Sequence, residues 1–249
     1  EQVVARLGSF AFGAEKVDSY EAGLKWQGLD GRATVNLAVF QSEVKNLQRE
    51  INVPSLTSGL AQSVYNTADA RIRGFEVEAA VNPMDGLRLS AALGHVDARY
   101  TRVIFDINSD GAINAADRKL DLPRAPKWTW NLGAQYDRGL GDWATLTLRA
   151  DFQHRSRFAY TDNNWGFNSA SDTLDGSLAL ALEDPAITFT VFGRNLLDEV
   201  QFGGDTQLPF AGGPFSDGNN RPYDPRPAAG TFSPMAKGRT VGLAVAMAF

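Results

Sequence analysis

The stretch that decides the fold class is Lys237–Phe249, which reads KGRTVGLAVAMAF. Its bulky residues fall on one parity: Val241, Leu243, Val245, Met247 and Phe249. The residues between them are all small: Gly242, Ala244, Ala246 and Ala248. Successive side chains of a strand point to opposite faces, so this stretch predicts a strand with one apolar face and one small-residue face. An uncharged strand of this kind invites aggregation in water, so something other than water must cover the apolar face.

The same alternation recurs along nearly the whole chain. In 128–136, for example, Trp128, Trp130, Leu132, Ala134 and Tyr136 alternate with smaller or polar residues. The pattern gives about nine strands of roughly 9–12 residues, the length that a tilted membrane strand needs. A soluble β-sandwich also alternates, but its strands and loops are usually shorter.

The connections between these strands are unequal in a regular way. Short turns are predicted at 28–31, 82–86, 138–142 and 183–186, and long loops at about 44–68, 100–126, 156–170 and 197–236. Short periplasmic turns and long extracellular loops are typical of outer-membrane barrels. We therefore predict an all-β fold: an antiparallel transmembrane β-barrel segment of about nine strands.

Composition excludes several classes of protein. The chain has 249 residues, a net charge of -5, two histidines and no cysteine. No apolar run is long enough for a membrane-spanning helix, and the negative charge argues against nucleic-acid binding. Without cysteine there is no thiol chemistry, and no motif places a nucleophile with His95 or His154. We therefore expect no enzymatic activity.

Three stretches resemble the TonB-dependent outer-membrane receptors: Tyr65–Glu78 (YNTADARIRGFEVE), Val191–Glu199 (VFGRNLLDE) and the closing strand Arg239–Phe249. The resemblance covers essentially all of residues 1–249. It implies the C-terminal portion of a 22-stranded barrel, with the plug domain and the TonB-binding segment absent from this sequence. Nine strands alone would leave two unpaired edges, so we expect the sequence to be a fragment of such a receptor.

The resemblance also implies a function and partners. It predicts a protein of the Gram-negative outer membrane that binds and imports a scarce ligand, a siderophore–iron complex, cobalamin or an oligosaccharide, with energy from the TonB complex. Outer-membrane lipid would surround it. The barrel-assembly machinery would read an assembly signal at Val245, Met247 and Phe249. The alternatives are a passive porin and a calcium-stabilised structural or adhesive surface barrel.

The loop Asp106–Asp117 resembles an EF-hand or dockerin-type calcium loop. Its ligand positions would be Asp106, Asn108, Asp110, the carbonyl of Ala112, Asn114 and Asp117. Ca²⁺ takes six to eight oxygen ligands, and Gly111 permits the sharp turn that wraps them around one ion. Because Asp replaces the usual Glu at the last position, we expect weak binding, roughly 10⁻⁴–10⁻³ M.

Two further groups of residues have predicted roles. The long loop 197–236 is rich in glycine, proline and aromatic residues, and its candidate ligand contacts are Phe210, Phe215, Arg221, Tyr223 and Arg226. A second group is expected to form charge networks on the inner wall of the barrel: Arg71, Arg73, Glu76 and Glu78.

Overall fold

A computed structural model describes the backbone of residues 12–55, 59–108, 110–164, 166–202, 206–207, 231–232 and 234–247. It is built almost entirely of strands. In chain order these are β1 (Lys16–Gly28), β2 (Ala33–Ser55), β3 (Gly59–Met84), β4 (Leu87–Val103), β5 (Trp128–Gly139), β6 (Ala144–Arg155), β7 (Phe158–Ala159), β8 (Phe167–Asn168), β9 (Ser171–Leu182), β10 (Ile187–Arg194), β11 (Thr206–Gln207), β12 (Thr231–Phe232) and β13 (Thr240–Met247). Within these ranges no helix is long and apolar enough to cross a membrane.

Nine of these strands form one antiparallel sheet in the order β1-β2-β3-β4-β5-β6-β9-β10-β13. The remaining four make two small hairpins, β7 with β8 and β11 with β12. The predicted all-β, antiparallel fold is therefore confirmed. Within the described ranges the sheet is open, with β1 and β13 at its edges, which is the form expected for part of a barrel wall.

The strand register separates the sheet into an apolar face and a polar face. One row of directly paired residues crosses seven strands and is entirely apolar: Trp26, Val35, Ala79, Ala91, Leu132, Phe152 and Leu174. The adjacent row has the opposite parity and is mostly polar: Lys25, Asn36, Glu78, Ala92, Asn131, Gln153 and Thr173. Alternation of this kind places one face toward lipid and the other toward the lumen.

The apolar face is largely uncovered by the rest of the chain. Leu243 of β13 is 80% exposed and Leu24 of β1 is 62% exposed. Removing a leucine side chain from water is worth about 1.5–3 kcal/mol, so a whole sheet face of this kind is stable only against an apolar medium. Lipid is that medium for a membrane barrel, and the terminal strand thus follows the same rule as the others.

The predicted loop 44–68 is wrong. β2 and β3 continue as a paired hairpin through most of this range, up to Ser55 and from Gly59. A β-bulge shifts the register between Val44 and Leu47, and Asn46 takes the left-handed φ of 54°. Because a bulge adds one residue, it reverses the alternation in the sequence and hides the strand from a period-two reading.

A buried apolar cluster lies on the polar face, at the end where β2, β3 and β4 extend. The segment after β4 folds back there, and Ile107 and Leu122 pack against Ala68 and Ala70 of β3. Tyr100 of β4 completes this cluster and is 5% exposed. The small alanines leave room for the incoming loop, so this loop covers the lumen side of the wall instead of extending into solvent.

Candidate ligand-facing mouth of the barrel wall

The inner wall carries its charges on the polar face of the sheet. Glu76 and Glu78 line a groove of about 420 Å³ together with Asn131, Gln153 and Arg155. The side chain of Asn36 donates a hydrogen bond to Glu78 Oε2 at 3.4 Å. These residues come from four strands of the sheet, β2, β3, β5 and β6, and the strand register brings them to the same face.

Arg71 and Arg73 do not belong to that inner wall. They have the parity of Phe75 and Val77, and they pair with Arg99 and Asp97 on the same face of β4. The expectation that Arg71 and Arg73 form charge networks on the inner wall, as Glu76 and Glu78 do, is therefore wrong. Residues an odd number of positions apart on a regular strand point to opposite faces.

Two loops of the chain, 104–127 and 156–170, are hydrogen-bonded to each other. Asn164 donates from Nδ2 to the carbonyl of Asp121 at 2.9 Å and accepts the N–H of Asp121 at 2.6 Å. The N–H of Arg124 donates to the carbonyl of Ala159 at 2.7 Å. Loop 104–127 and loop 156–170 are thus linked by backbone and side-chain bonds.

An ion pair connects the second loop to the wall. Arg49 of β2 lies 3.2 Å from Asp162, measured from Nε to Oδ1. Arg49 lies beyond the bulge of β2, in the part of the strand that the alternation pattern does not reveal. This extension of β2 therefore holds loop 156–170 in place.

Arginine–aromatic pairs occupy the segment that leads from β6 into the second loop. The guanidinium of Arg155 lies 4.7 Å from the ring centre of Phe158, and that of Arg157 lies 3.6 Å from the ring centre of Phe167. Such pairs hold a cation over an aromatic face. Sequence reasoning missed these residues, although the run 155–158, RSRF, places two arginines and an aromatic residue just after a predicted strand.

The predicted calcium loop forms a compact turn held by its own side chains. Asp106 accepts the N–H groups of Asp110 at 3.2 Å and Gly111 at 2.8 Å. Asp110 in turn accepts the N–H of Ala112 at 2.9 Å and the side-chain amide of Asn108 at 3.0 Å. The Asn108 amide is also the main reason that the pKa of Asp110 lies below its usual value.

Asp117 closes the loop from its far end. It is fully buried, and its carboxylate accepts the N–H groups of Ile107 at 2.9 Å, Asn108 at 3.1 Å and Asn114 at 2.9 Å. In the described part of the chain, no three His, Asp or Glu side chains are grouped closely enough to hold a metal ion. Calcium binding by this loop stays a prediction.

The other predicted site residues are only partly described. Phe210, Phe215, Arg221, Tyr223, Arg226 and Phe249 lie outside the described residues. Val245 and Met247 lie on β13, where they pair with Phe189 and Ile187 of β10. The side chains of these residues belong to the apolar face of the sheet. The role of Val245, Met247 and Phe249 as an assembly signal stays a prediction.

A curated relative matches part of the chain. The metal-pseudopaline receptor CntO of Pseudomonas aeruginosa is 31% identical over 114 residues, which are 46% of this chain and 14% of the relative. The chain therefore corresponds to a small part of that receptor.

Solved structures match nearly the whole chain in fold. The ferric yersiniabactin uptake receptor FyuA of Yersinia pestis has a TM-score of 0.68 at 17% identity, covering 94% of this chain and 30% of its own. The copper transporter OprC has a TM-score of 0.63 at 16% identity, with coverages of 94% and 32%. The ferric preacinetobactin receptor BauA of Acinetobacter baumannii has a TM-score of 0.59 at 20% identity, with coverages of 93% and 29%. The chain spans about a third of these proteins or less.

The family model described as TonB dependent receptor-like, beta-barrel, matches residues 4–196, which is most of the chain. Barrels of this family lie in the outer membrane of Gram-negative bacteria, in agreement with the exposed apolar face. The chain belongs to the TonB-dependent receptor-like β-barrel family.

Proposed function

We propose that the protein to which this chain belongs is an outer-membrane receptor that binds and imports a metal–chelator complex, with energy from the TonB complex. The observation that carries the proposal is the loop after β4, which folds over the polar face of the wall, together with the segment 155–167, which is hydrogen-bonded to that loop and carries the arginine and aromatic side chains. The similar proteins are receptors for metal-pseudopaline, ferric yersiniabactin and ferric preacinetobactin, and a copper transporter.

The chemistry of the mouth supports an anionic or aromatic ligand. Arg155 lies on the polar face of β6, between Thr129 and Ser171 of the adjacent strands, and lines the inner groove. Guanidinium groups bind carboxylates and other oxygen anions through paired N–H donors, and they stack on flat rings. Iron and copper chelators that offer carboxylate or phenolate oxygens have this chemistry.

The test measures uptake of radiolabelled iron, supplied as a panel of ferric chelates, into cells that make the full-length protein. Uptake of at least one chelate is expected to disappear when TonB is deleted. Uptake that is equal with and without TonB would favour the alternative of a passive porin.

Substitutions of two arginines on the same strand test whether the mouth of the barrel binds the chelate. Arg155→Gln is expected to weaken binding of that chelate by about tenfold to a hundredfold, since a hydrogen bond to a charged group is worth about 1.5–3 kcal/mol. Arg149→Gln is the control. It changes an arginine on the same face of β6 that is bonded to Asp151 at 2.7 Å, well away from the mouth. Equal losses of binding affinity in both variants would contradict the role of Arg155 in binding the chelate.

A further inference from the structure

A cluster of arginines lies on the apolar face, beyond the end of its apolar region. We define the outer arginine cluster as Arg71 and Arg73 of β3 with Arg99 and Arg102 of β4. Arg71 pairs directly with Arg99 in the register, and Arg73 pairs with Asp97. These side chains share the face of Phe75 and Val77, which is the lipid-facing one.

Aspartates hold these arginines in fixed positions. Asp97 accepts Nε and Nη2 of Arg73 at 3.1 and 3.0 Å, and Nε of Arg99 at 2.7 Å. Asp69 accepts Nε of Arg102 at 2.8 Å and lies 3.9 Å from Lys45 Nζ. Arg73 and Arg99 nevertheless remain 54% and 66% exposed.

An aromatic cluster lies directly below and marks the membrane boundary. The ring centres of His95 and Trp128 are 4.2 Å apart, and Phe75 lies 5.6 Å from His95. Aromatic side chains at this position form the interfacial girdle of a membrane barrel. Arg73 precedes Phe75 by two residues on β3, and Arg99 follows His95 by four on β4, which runs in the opposite direction. With strand rise and tilt, these offsets place the Cα atoms of Arg73 and Arg99 about 5 and 10 Å above the girdle. The lipid head groups add about 5–8 Å to each side of the hydrocarbon core, so Arg73 lies within this layer and Arg99 lies at its outer limit.

The charge of this surface is opposite to that of the chain. Around the cluster, the four arginines and Lys45 outnumber four carboxylates, Glu43, Asp69, Asp97 and Asp121, which leaves an excess of one positive charge. On β1, Lys16 and Asp18 add one charge of each sign. The whole chain has a net charge of -5, so the positive excess is local.

We propose that the outer arginine cluster binds the phosphate groups of a phosphorylated lipid in the outer leaflet. The lipid's acyl chains would continue down the apolar face below the aromatic cluster. The inference rests on the membrane placement of the sheet and is independent of the imported ligand.

The hydrogen-bond donors left over fit this partner. Each guanidinium has five N–H donors. Asp97 uses two nitrogens of Arg73 and one of Arg99, so both keep several donors directed elsewhere. Among the described residues, no carboxylate lies within ion-pair distance of Arg71. Phosphate oxygens accept such donors in pairs, which is why arginine is favoured where phosphate is recognised.

The test is native mass spectrometry of the full-length protein titrated with bisphosphorylated lipid A. Fully dephosphorylated lipid A tests the requirement for phosphate, and inorganic phosphate is added as a competitor. An arginine near an anionic membrane surface contributes about fivefold in affinity. The triple variant Arg71→Gln, Arg73→Gln, Arg99→Gln is therefore expected to bind the bisphosphorylated lipid on the order of a hundredfold more weakly.

The control again is Arg149→Gln. Arg149 and Asp151 make the same contact two residues apart as Arg99 and Asp97, at the same Nε–Oδ distance of 2.7 Å, but on the polar face. This variant is expected to bind lipid as the unmodified protein does.

Several results would overturn the proposal: unchanged binding in the triple variant, an equal loss in Arg149→Gln, or equal affinity for the dephosphorylated lipid. Displacement of the lipid by inorganic phosphate alone would also overturn it, because it would show a free-anion site. If the triple variant does not fold, as shown by loss of the heat-dependent shift in gel mobility, Arg71→Gln alone decides. It breaks no described ion pair and is expected to weaken lipid binding about fivefold.

Discussion

Replacing Leu132 with arginine should destabilise the barrel strongly, because this leucine lies near the middle of the membrane. It is 51% exposed on the apolar face and pairs with Ala91 and Phe152. Trp128 and Tyr136 are each four residues away on β5, about 14 Å along the strand and about 10 Å along the membrane normal. That distance is close to half of the roughly 25 Å apolar band of such barrels.

The expected magnitude follows from this depth. An arginine at the bilayer midplane of a β-barrel costs about 2–4 kcal/mol, which is about thirtyfold to a thousandfold in the folding equilibrium. Near the interface the cost falls to about 0–1 kcal/mol. Tyr136→Arg should therefore cost much less than Leu132→Arg, although both change the same face of the same strand.

The assay is guanidinium unfolding of the full-length protein in phospholipid vesicles, followed by tryptophan fluorescence and by heat-dependent gel mobility. The neighbouring variant Asn131→Arg is the control, because Asn131 lies on the polar face and lines the inner groove. Its free energy of unfolding should change little. Equal destabilisation by Leu132→Arg and Asn131→Arg would refute the assignment of the two faces, and equal effects of Leu132→Arg and Tyr136→Arg would refute the depth.

Three other predictions concern loop 106–117. Asp117→Ala should leave three backbone N–H groups without their partner, at about 1–3 kcal/mol for each one that stays buried, and should speed cleavage of the loop by protease. The exposed neighbour Arg118→Ala should not change this rate, and equal rates in the two variants would contradict the role of Asp117. If the loop binds calcium, protease cleavage should be slower with Ca²⁺ than with chelator; identical rates would end the calcium hypothesis. The hydrogen bond from the Asn108 amide is the largest cause that keeps the pKa of Asp110 below its usual value. The hydrogen bonds of the Asp110 carboxylate therefore stabilise the loop fully above the usual pKa. This stabilisation is lost as the pH falls through the lowered pKa of the folded protein. Hydrogen exchange of the loop amides, corrected for intrinsic rates, should show this loss in acid, and Asp110→Asn should abolish the pH dependence.

The sheet could be predicted from the sequence because lipid constrains one face of every strand. The row from Trp26 to Leu174 is apolar on all seven strands, so period-two reading finds each strand without knowledge of its partners. The inward fold of the loop after β4 could not be predicted in this way. It depends on contacts between Ile107 and Ala68, which are far apart in the sequence and carry no periodic signal.

The charged residues of β3 show what strand parity adds to composition. By composition alone, the run from Arg71 to Glu78 predicts one charged surface. Read as a strand, it has Arg71 and Arg73 on one face and Glu76 and Glu78 on the other. Strand parity alone is therefore sufficient to separate these two pairs of charges.

The bulge at Asn46 explains why the pattern fails where the mouth begins. Below the pair of Val39 and Phe75, β2 and β3 cross the membrane, and lipid requires apolar residues on one parity. Above the bulge, neither face meets lipid, so both parities are free to vary. The N–H of Asn46 donates to Asp69 at 2.9 Å, and Asp69 also holds Arg102, so the bulge is fixed to β4 at this boundary. The strand extensions then position Arg49 and the buried alanines that hold the two inward loops. Residues that contact a ligand are therefore expected where the alternation ends, and they must be found from contacts and not from periodicity.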